Sequence, residues 1–373
     1  MSNDRFTLCL LLYSISQVYV VHSAASNSLS NCNAIAAKFS TTYSNGPAAS
    51  IISTTGTNVT CASLTGVSCP GSTSSGSCVF QHKLCITCYM SGSTVKIRVQ
   101  SNGLPLFCPN IPSGVTLSEQ NIDFSVNFNP DVSVNSPYIT VTTQTAIDST
   151  ICNVSNQATP PSASGFTAIS STSNGIAGVS IDGVAILNAN SANNVDPFYP
   201  SPTTIAAEHV DQCMGHPNPQ NIYHYHIGSG CALSASQSTS VQACATVSSC
   251  ISSISTYSIS QFSSYKTLTV IGIAKDGHVI YGPYDSSGNQ ITSGYDVCNG
   301  VFYDSVGNYA YFATQTFPYI FGCYGPGNYP TVYPSCSTNP PTKYTKSIYA
   351  GSNINGLSNI CYLLIILVSI YIS

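Results

Sequence analysis

Four histidines, His209, His216, His224 and His226, fall within eighteen residues of this chain. Imidazole is the commonest transition-metal ligand, and four so close together point to a bound cation. The run Tyr223-His224-Tyr225-His226 has strand character, and side chains of an extended strand alternate faces. His224 and His226 would therefore share one face, and Tyr223 and Tyr225 the other. The steps His216-Pro217 and Asn218-Pro219 are turn chemistry that would bring His216 back alongside the strand. This spacing predicts His216, His224 and His226 as ligands, with His209 or Asp211 completing the shell. Such a donor set suits Zn²⁺ or Cu²⁺, with zinc–nitrogen bonds of about 2.0–2.1 Å.

The charge pattern favours a cation as well. No Lys or Arg lies between Arg98 and Lys266, whereas eight acids do: Glu119, Asp123, Asp131, Asp148, Asp182, Asp196, Glu208 and Asp211. A stretch of one sign lowers the cost of holding a divalent ion. Two other readings use the same residues. In a metal-dependent hydrolase, Glu208 or Asp211 would be the general base; in a copper oxidase, Tyr223, Tyr225 or Tyr281 would join the redox step. In a structural or adhesive coat protein, the histidines would hydrogen-bond within a tyrosine-rich core. The sequence contains no His-Glu-x-x-His, no Gly-x-Ser-x-Gly and no phosphate loop. Whether the chain is an enzyme is left open.

The elements that must position these residues are mainly β. Thr94–Val99 and Tyr138–Thr142 alternate in the manner of strands. Two segments resemble one another, Gly178-Val179-Ser180-Ile181-Asp182-Gly183-Val184-Ala185-Ile186 and Gly272-Ile273-Ala274-Lys275-Asp276-Gly277-His278-Val279-Ile280. Each sets Asp-Gly between apolar runs, which predicts a hairpin on a type I′ turn with positive φ at both central residues. Only 234–264 lacks strand signals, and a loop or short helix is expected there.

These motifs resemble those of the YHYH-domain family, whose tetrapeptide stands here as residues 223–226. The likeness covers about residues 174 to 328. It includes Asp211-Gln212-Cys213-Met214-Gly215-His216-Pro217, Ile280-Tyr281-Gly282-Pro283 and Asp296-Val297-Cys298-Asn299-Gly300, besides the two Asp-Gly segments. Met214 stands where the family pattern has a glycine. His278 follows Asp-Gly where the family usually carries an aromatic, which makes it a poor candidate for a shared role. The resemblance implies an exported domain and leaves its chemistry open.

Composition and the chain ends agree with export. Of 17 cysteines, Cys9 and Cys361 lie in terminal apolar segments, which leaves 15, an odd number that allows one bond to another chain. That density predicts disulfides in an oxidising compartment. Cys213 could give a thiolate to the metal, but pairing with Cys231 is the stronger reading; Cys244 with Cys250, and Cys298 with Cys323 or Cys336, are further expected bridges. Cys85-Ile86-Thr87-Cys88 reads as structural. Sequons stand at Asn58 and Asn153. Charged residues make up 6% of the chain and the net charge is -4 with no basic patch, so nucleic acid is not an expected partner.

The expected organisation begins with a signal peptide at 1–25 and a Cys-rich β region at 26–160. A Pro/Ser-rich linker at 161–173 leads to the YHYH-type β domain at 174–336 and a stalk at 337–351. The tail 352–373 has the pattern of a GPI-attachment signal, with Gly351 or Ser352 taking the lipid, and a single C-terminal membrane helix is the alternative. The expected location is the cell surface.

Overall fold

The computed structural model describes residues 26–39, 83–130 and 175–324 apart from a few loop positions, together with short strands between 49 and 77. The expected leader at 1–25, strand at Tyr138–Thr142, linker, stalk and tail with Gly351 and Ser352, together with Asn153, Cys323 and Cys336, lie outside the described residues. Asn58 begins one of the short strands, which are β1 (Ala49–Ser50), β2 (Asn58–Val59), β3 (Ser72–Thr73) and β4 (Gly76–Ser77). Among the described residues no helix is long and apolar enough to cross a membrane.

The protein is mainly β. Strands β5 (Leu84–Ser91), β6 (Thr94–Ser101) and β7 (Ile122–Asn127) form an antiparallel sheet in that order. Val95, Ile97 and Val99 of β6 are buried, as period-two alternation requires. On the other face Arg98 donates to both carboxylate oxygens of Asp123, at 2.9 and 2.7 Å. The helix Leu29–Ala36, capped by Ser28, is tied to β5 by the Cys32–Cys88 disulfide. Cys85 is disulfide-bonded too, so both cysteines of the Cys-x-x-Cys segment are structural. The sequence gives this helix no periodic signal, because eight residues are barely two turns and the disulfide carries the docking.

The second sheet has eight strands: β8 (Ile176–Ser180), β9 (Ala185–Leu187), β10 (Gly215–Pro217), β11 (Tyr223–Tyr225), β12 (Val270–Ala274), β13 (Val279–Tyr281), β14 (Gly300–Phe302) and β15 (Tyr309–Phe312). Their order is β10-β11-β9-β8-β12-β13-β15-β14. This order reads as one four-strand unit used twice, facing itself across β8 and β12. Val179 pairs with Ile273 at the centre, flanked by Gly178 with Ala274 and Ser180 with Gly272. In each half a hairpin carries a register shift before its glycine, at Ile176/Gly178 and at Val270/Gly272. In each half a second hairpin then adds its last strand in parallel, with Ile186 opposite Tyr225 and Ile280 opposite Tyr311.

The repeat extends to individual side chains. Tyr225 Oη donates to Asp182 at 2.9 Å, and Tyr311 Oη to Asp276 at 2.5 Å. Met214 and Asn299, each just after a disulfide-bonded cysteine, have φ of 68° and 70°. Gly215 and Gly300 each lie against a tyrosine ring, Tyr223 and Tyr309, where a Cβ would overlap it. The Asp-Gly turns differ from the type I′ form expected. Only Gly183 and Gly277 have positive φ, and the amides of Ser180 and Ala274 donate to the carbonyls of Val184 and His278. These are three-residue loops, a tight turn followed by a left-handed glycine, in which the Asp carboxylate instead accepts the amide two residues on.

The two sheets share one core. Ile97, Val99 and Phe128 belong to the same apolar cluster as Val179, Ile273 and Phe312. The smaller sheet also covers both Asp-Gly turns, since Ser101 Oγ donates to the Gly183 carbonyl and the Asn129 amide to that of Gly277. Between the halves, where a loop or short helix is expected, lie the helices Ser248–Ser252 and Ile254–Ser260, with the Cys244–Cys250 disulfide beside them.

Candidate metal centre

The β10–β11 hairpin turns through Asn218-Pro219-Gln220-Asn221. Asn218 Oδ1 accepts from the amides of Gln220 and Ile222, each at 3.0 Å, and Asn221 takes φ 62°. That turn sets His216 directly opposite His224, with ring centroids 4.3 Å apart. His226, one residue past the strand, lies on the same face, its ring 4.7 Å from that of His224. Tyr223 and Tyr225 point the other way, into an apolar cluster with Phe107 and Val184. The disulfide Cys213–Cys231 encloses the three histidines within one 18-residue separation. Cys213 therefore offers no thiolate to a metal.

One nitrogen from each of His216, His224 and His226 lies within 4.8 Å of the other two. His224 Nδ1 is 3.0 Å from the Ile222 carbonyl, and His226 Nδ1 is 2.8 Å from the Asn188 carbonyl. A carbonyl oxygen can only accept, so each Nδ1 donates to it and each Nε2 is turned inward. These two Nε2 atoms stand 3.0 Å apart. Burial, reinforced by the neighbouring imidazoles, holds His224 well below the ordinary histidine range, and burial also lowers His216 against the pull of Glu208. His224 is thus neutral, and its Nε2 faces that of His226 within hydrogen-bond distance.

The carboxylate at the cluster is Glu208. Its Oε2 lies 3.2 Å from Nε2 of both His216 and His226. Burial alone would raise this carboxyl, yet the two histidines outweigh it and hold it well below the usual range. The sequence presents Glu208 only as a general base; its signal is adjacency to His209 and position upstream of Asp-x-Cys. His209 is exposed and Asp211 lies outside the converging group. Asp211 is buried and accepts from Tyr223 Oη at 2.7 Å and from the amides of Cys213, Gly215 and Asn110. Burial lifts it to about 7 against those donors. It fastens the hairpin rather than facing the histidines. His278 is buried between the rings of Tyr309 and Tyr311, away from the cluster.

Residues 154–299 match the family model described as YHYH protein. The chain carries a YHYH domain. No curated protein and no solved structure matches the chain. The match stops at Asn299, although β14 and β15 complete the sheet of this YHYH domain. Met214 takes φ of 68°, a conformation that is costly for a side chain and that glycine adopts freely.

The repeat separates scaffold from site. Register places Val301, Ala310 and Phe312 in the second half where the first has His216, His224 and His226. The same backbone is thus built without a histidine at those three positions.

Proposed function

We propose that this protein is an exported, lipid-tethered surface protein whose YHYH domain holds one divalent transition-metal ion on His216, His224 and His226. The observation that carries this reading is the convergence of one nitrogen from each of the three imidazoles within 4.8 Å, with Nδ1 of His224 and of His226 held by a backbone carbonyl. A hydrogen bond from the far ring nitrogen to a carbonyl orients metal-ligating imidazoles. Imidazoles with a nearby carboxylate suit Zn²⁺ or Cu²⁺.

Export is supported by the disulfides Cys32–Cys88, Cys213–Cys231 and Cys244–Cys250. The tether rests on the small residues, polar spacer and apolar tail that end the sequence. Elemental analysis of the purified protein, followed by calorimetric titration with Zn²⁺ and Cu²⁺ near neutral pH, tests the metal. One ion per chain is expected, and no uptake of either ion rejects the reading. Phosphatidylinositol-specific phospholipase C should release the protein from intact cells; retention would point to a membrane helix.

A further inference from the structure

Glu208 turns its carboxylate into the histidine cluster, with Oε2 3.2 Å from Nε2 of His216 and of His226. Its Oε2 is buried and has no hydrogen-bond partner, and so is His216 Nε2 at 3.2 Å. The contact is close but poorly aligned for a shared proton. A buried carboxylate is stable when paired with a cation or bound to metal, and no Lys or Arg occurs anywhere between Arg98 and Lys266. Glu208 reaches two of the three imidazoles, with Oε2 3.2 Å from Nε2 of His216 and of His226, while the Nε2 atoms of His224 and His226 are 3.0 Å apart. The three imidazole nitrogens lie within 4.8 Å of one another and Glu208 stands beside that group, so binding would draw it toward His224. Four tetrahedral ligands about 2.0–2.1 Å from one ion stand roughly 3.3 Å from each other.

The carboxylate also has its own support outside the disulfide-enclosed segment. The Glu208 amide donates to the Pro197 carbonyl at 2.7 Å. Asp196 accepts from the amides of Phe198 and Tyr199 and from Tyr319 Oη, which fixes that turn. Phe198 lies edge-on to the His226 ring.

We propose that Glu208 is the fourth protein ligand, closing the centre into a shell of three imidazoles and one carboxylate with no position for water or substrate. This rests on the metal reading above and narrows it. Closed four-ligand shells are structural, whereas hydrolytic zinc sites keep one position open. The ion would brace the hairpin or carry an electron, and it would not activate water.

Co²⁺ substitution tests this on the full chain after removal of bound metal, with azide as the probe of an open position. The wild type should show the intense visible absorption of four-coordinate Co²⁺ and should not respond to azide. Glu208→Gln should still take up one Co²⁺, bind it at least about tenfold more weakly, and change its spectrum on adding azide. Wild-type protein that binds azide at Co²⁺, or Glu208→Gln that binds Co²⁺ as tightly as wild type, overturns the closed shell and leaves the histidine site standing. A wild-type chain that takes up no Co²⁺ rejects both. Should Glu208→Gln fail to fold, the wild-type azide titration decides alone.

Discussion

The two halves of the eight-stranded sheet share a bulged hairpin, an Asp–Tyr bond, a left-handed residue after a bonded cysteine and a glycine beneath a tyrosine. They differ on one face. Where the first half has His216, His224 and His226, the second has Val301, Ala310 and Phe312. What both halves keep is what the fold requires, and what only one keeps is available for chemistry. Tyr225, Asp182, Gly215 and Cys213 thus belong to the scaffold, although they interleave with the histidines in sequence. Phe312 shows what the position of His226 becomes without a site, since it packs on Tyr281 at 5.5 Å and on Tyr303 at 5.9 Å.

If that division is right, scaffold substitutions should cost the same in both halves. Gly215→Ala and Gly300→Ala should have the largest effect, because a Cβ at either site would overlap a buried tyrosine ring. Each should cost about 3 kcal/mol or more in urea denaturation, or block secretion. A large cost in one half and none in the other would break the equivalence. Tyr225→Phe and Tyr311→Phe should be milder, about 1–3 kcal/mol each, since each removes one donor from a buried Asp.

The smallest effect is a pH slope from Asp182. Burial raises Asp182 to about 6 from an ordinary 3.8. The folded state then holds this proton at a pH where the unfolded state has released it. The contribution of Asp182 to stability is therefore fully present below about 3.8, falls as pH rises to about 6, and changes no further above that. Asp182→Asn should remove that component from the pH dependence of the metal-free urea midpoint. An unchanged slope between pH 4 and 6 would show that Asp182 is ionised throughout.

Part of this arrangement is legible in the sequence. The Asp-Gly segments at 182 and 276 mark the two hairpins, and the i, i+2 spacing of His224 and His226 marks their common face. The shape of the turns is hidden, because type I′ and three-residue loops both want Asp-Gly, and only the backbone shows that Asp182 keeps negative φ. The full extent of the repeat is hidden too. Asp211-x-Cys213-x-Gly215 and Asp296-x-Cys298-x-Gly300 share three residues in five, too few to weigh until register sets Tyr223 and Tyr225 beside Tyr309 and Tyr311. Glu208 could be named only as one of two candidate general bases and not as a ligand, since its placement depends on a bond to Pro197 and on a turn held by Tyr319, 123 residues from Asp196. The shared core of the two sheets is likewise a long-range contact that local patterns do not encode.

The central claim is that the histidines serve a metal and not the fold. The most direct test copies the second half into the first, as the triple variant His216→Val, His224→Ala and His226→Phe. The variant should be secreted and should unfold in chelator within about 1 kcal/mol of metal-free wild type, with the Cys213–Cys231 bond intact and no bound Zn²⁺ or Cu²⁺. A variant that fails to fold, while metal-free wild type folds normally, would contradict the account and make the cluster a structural core.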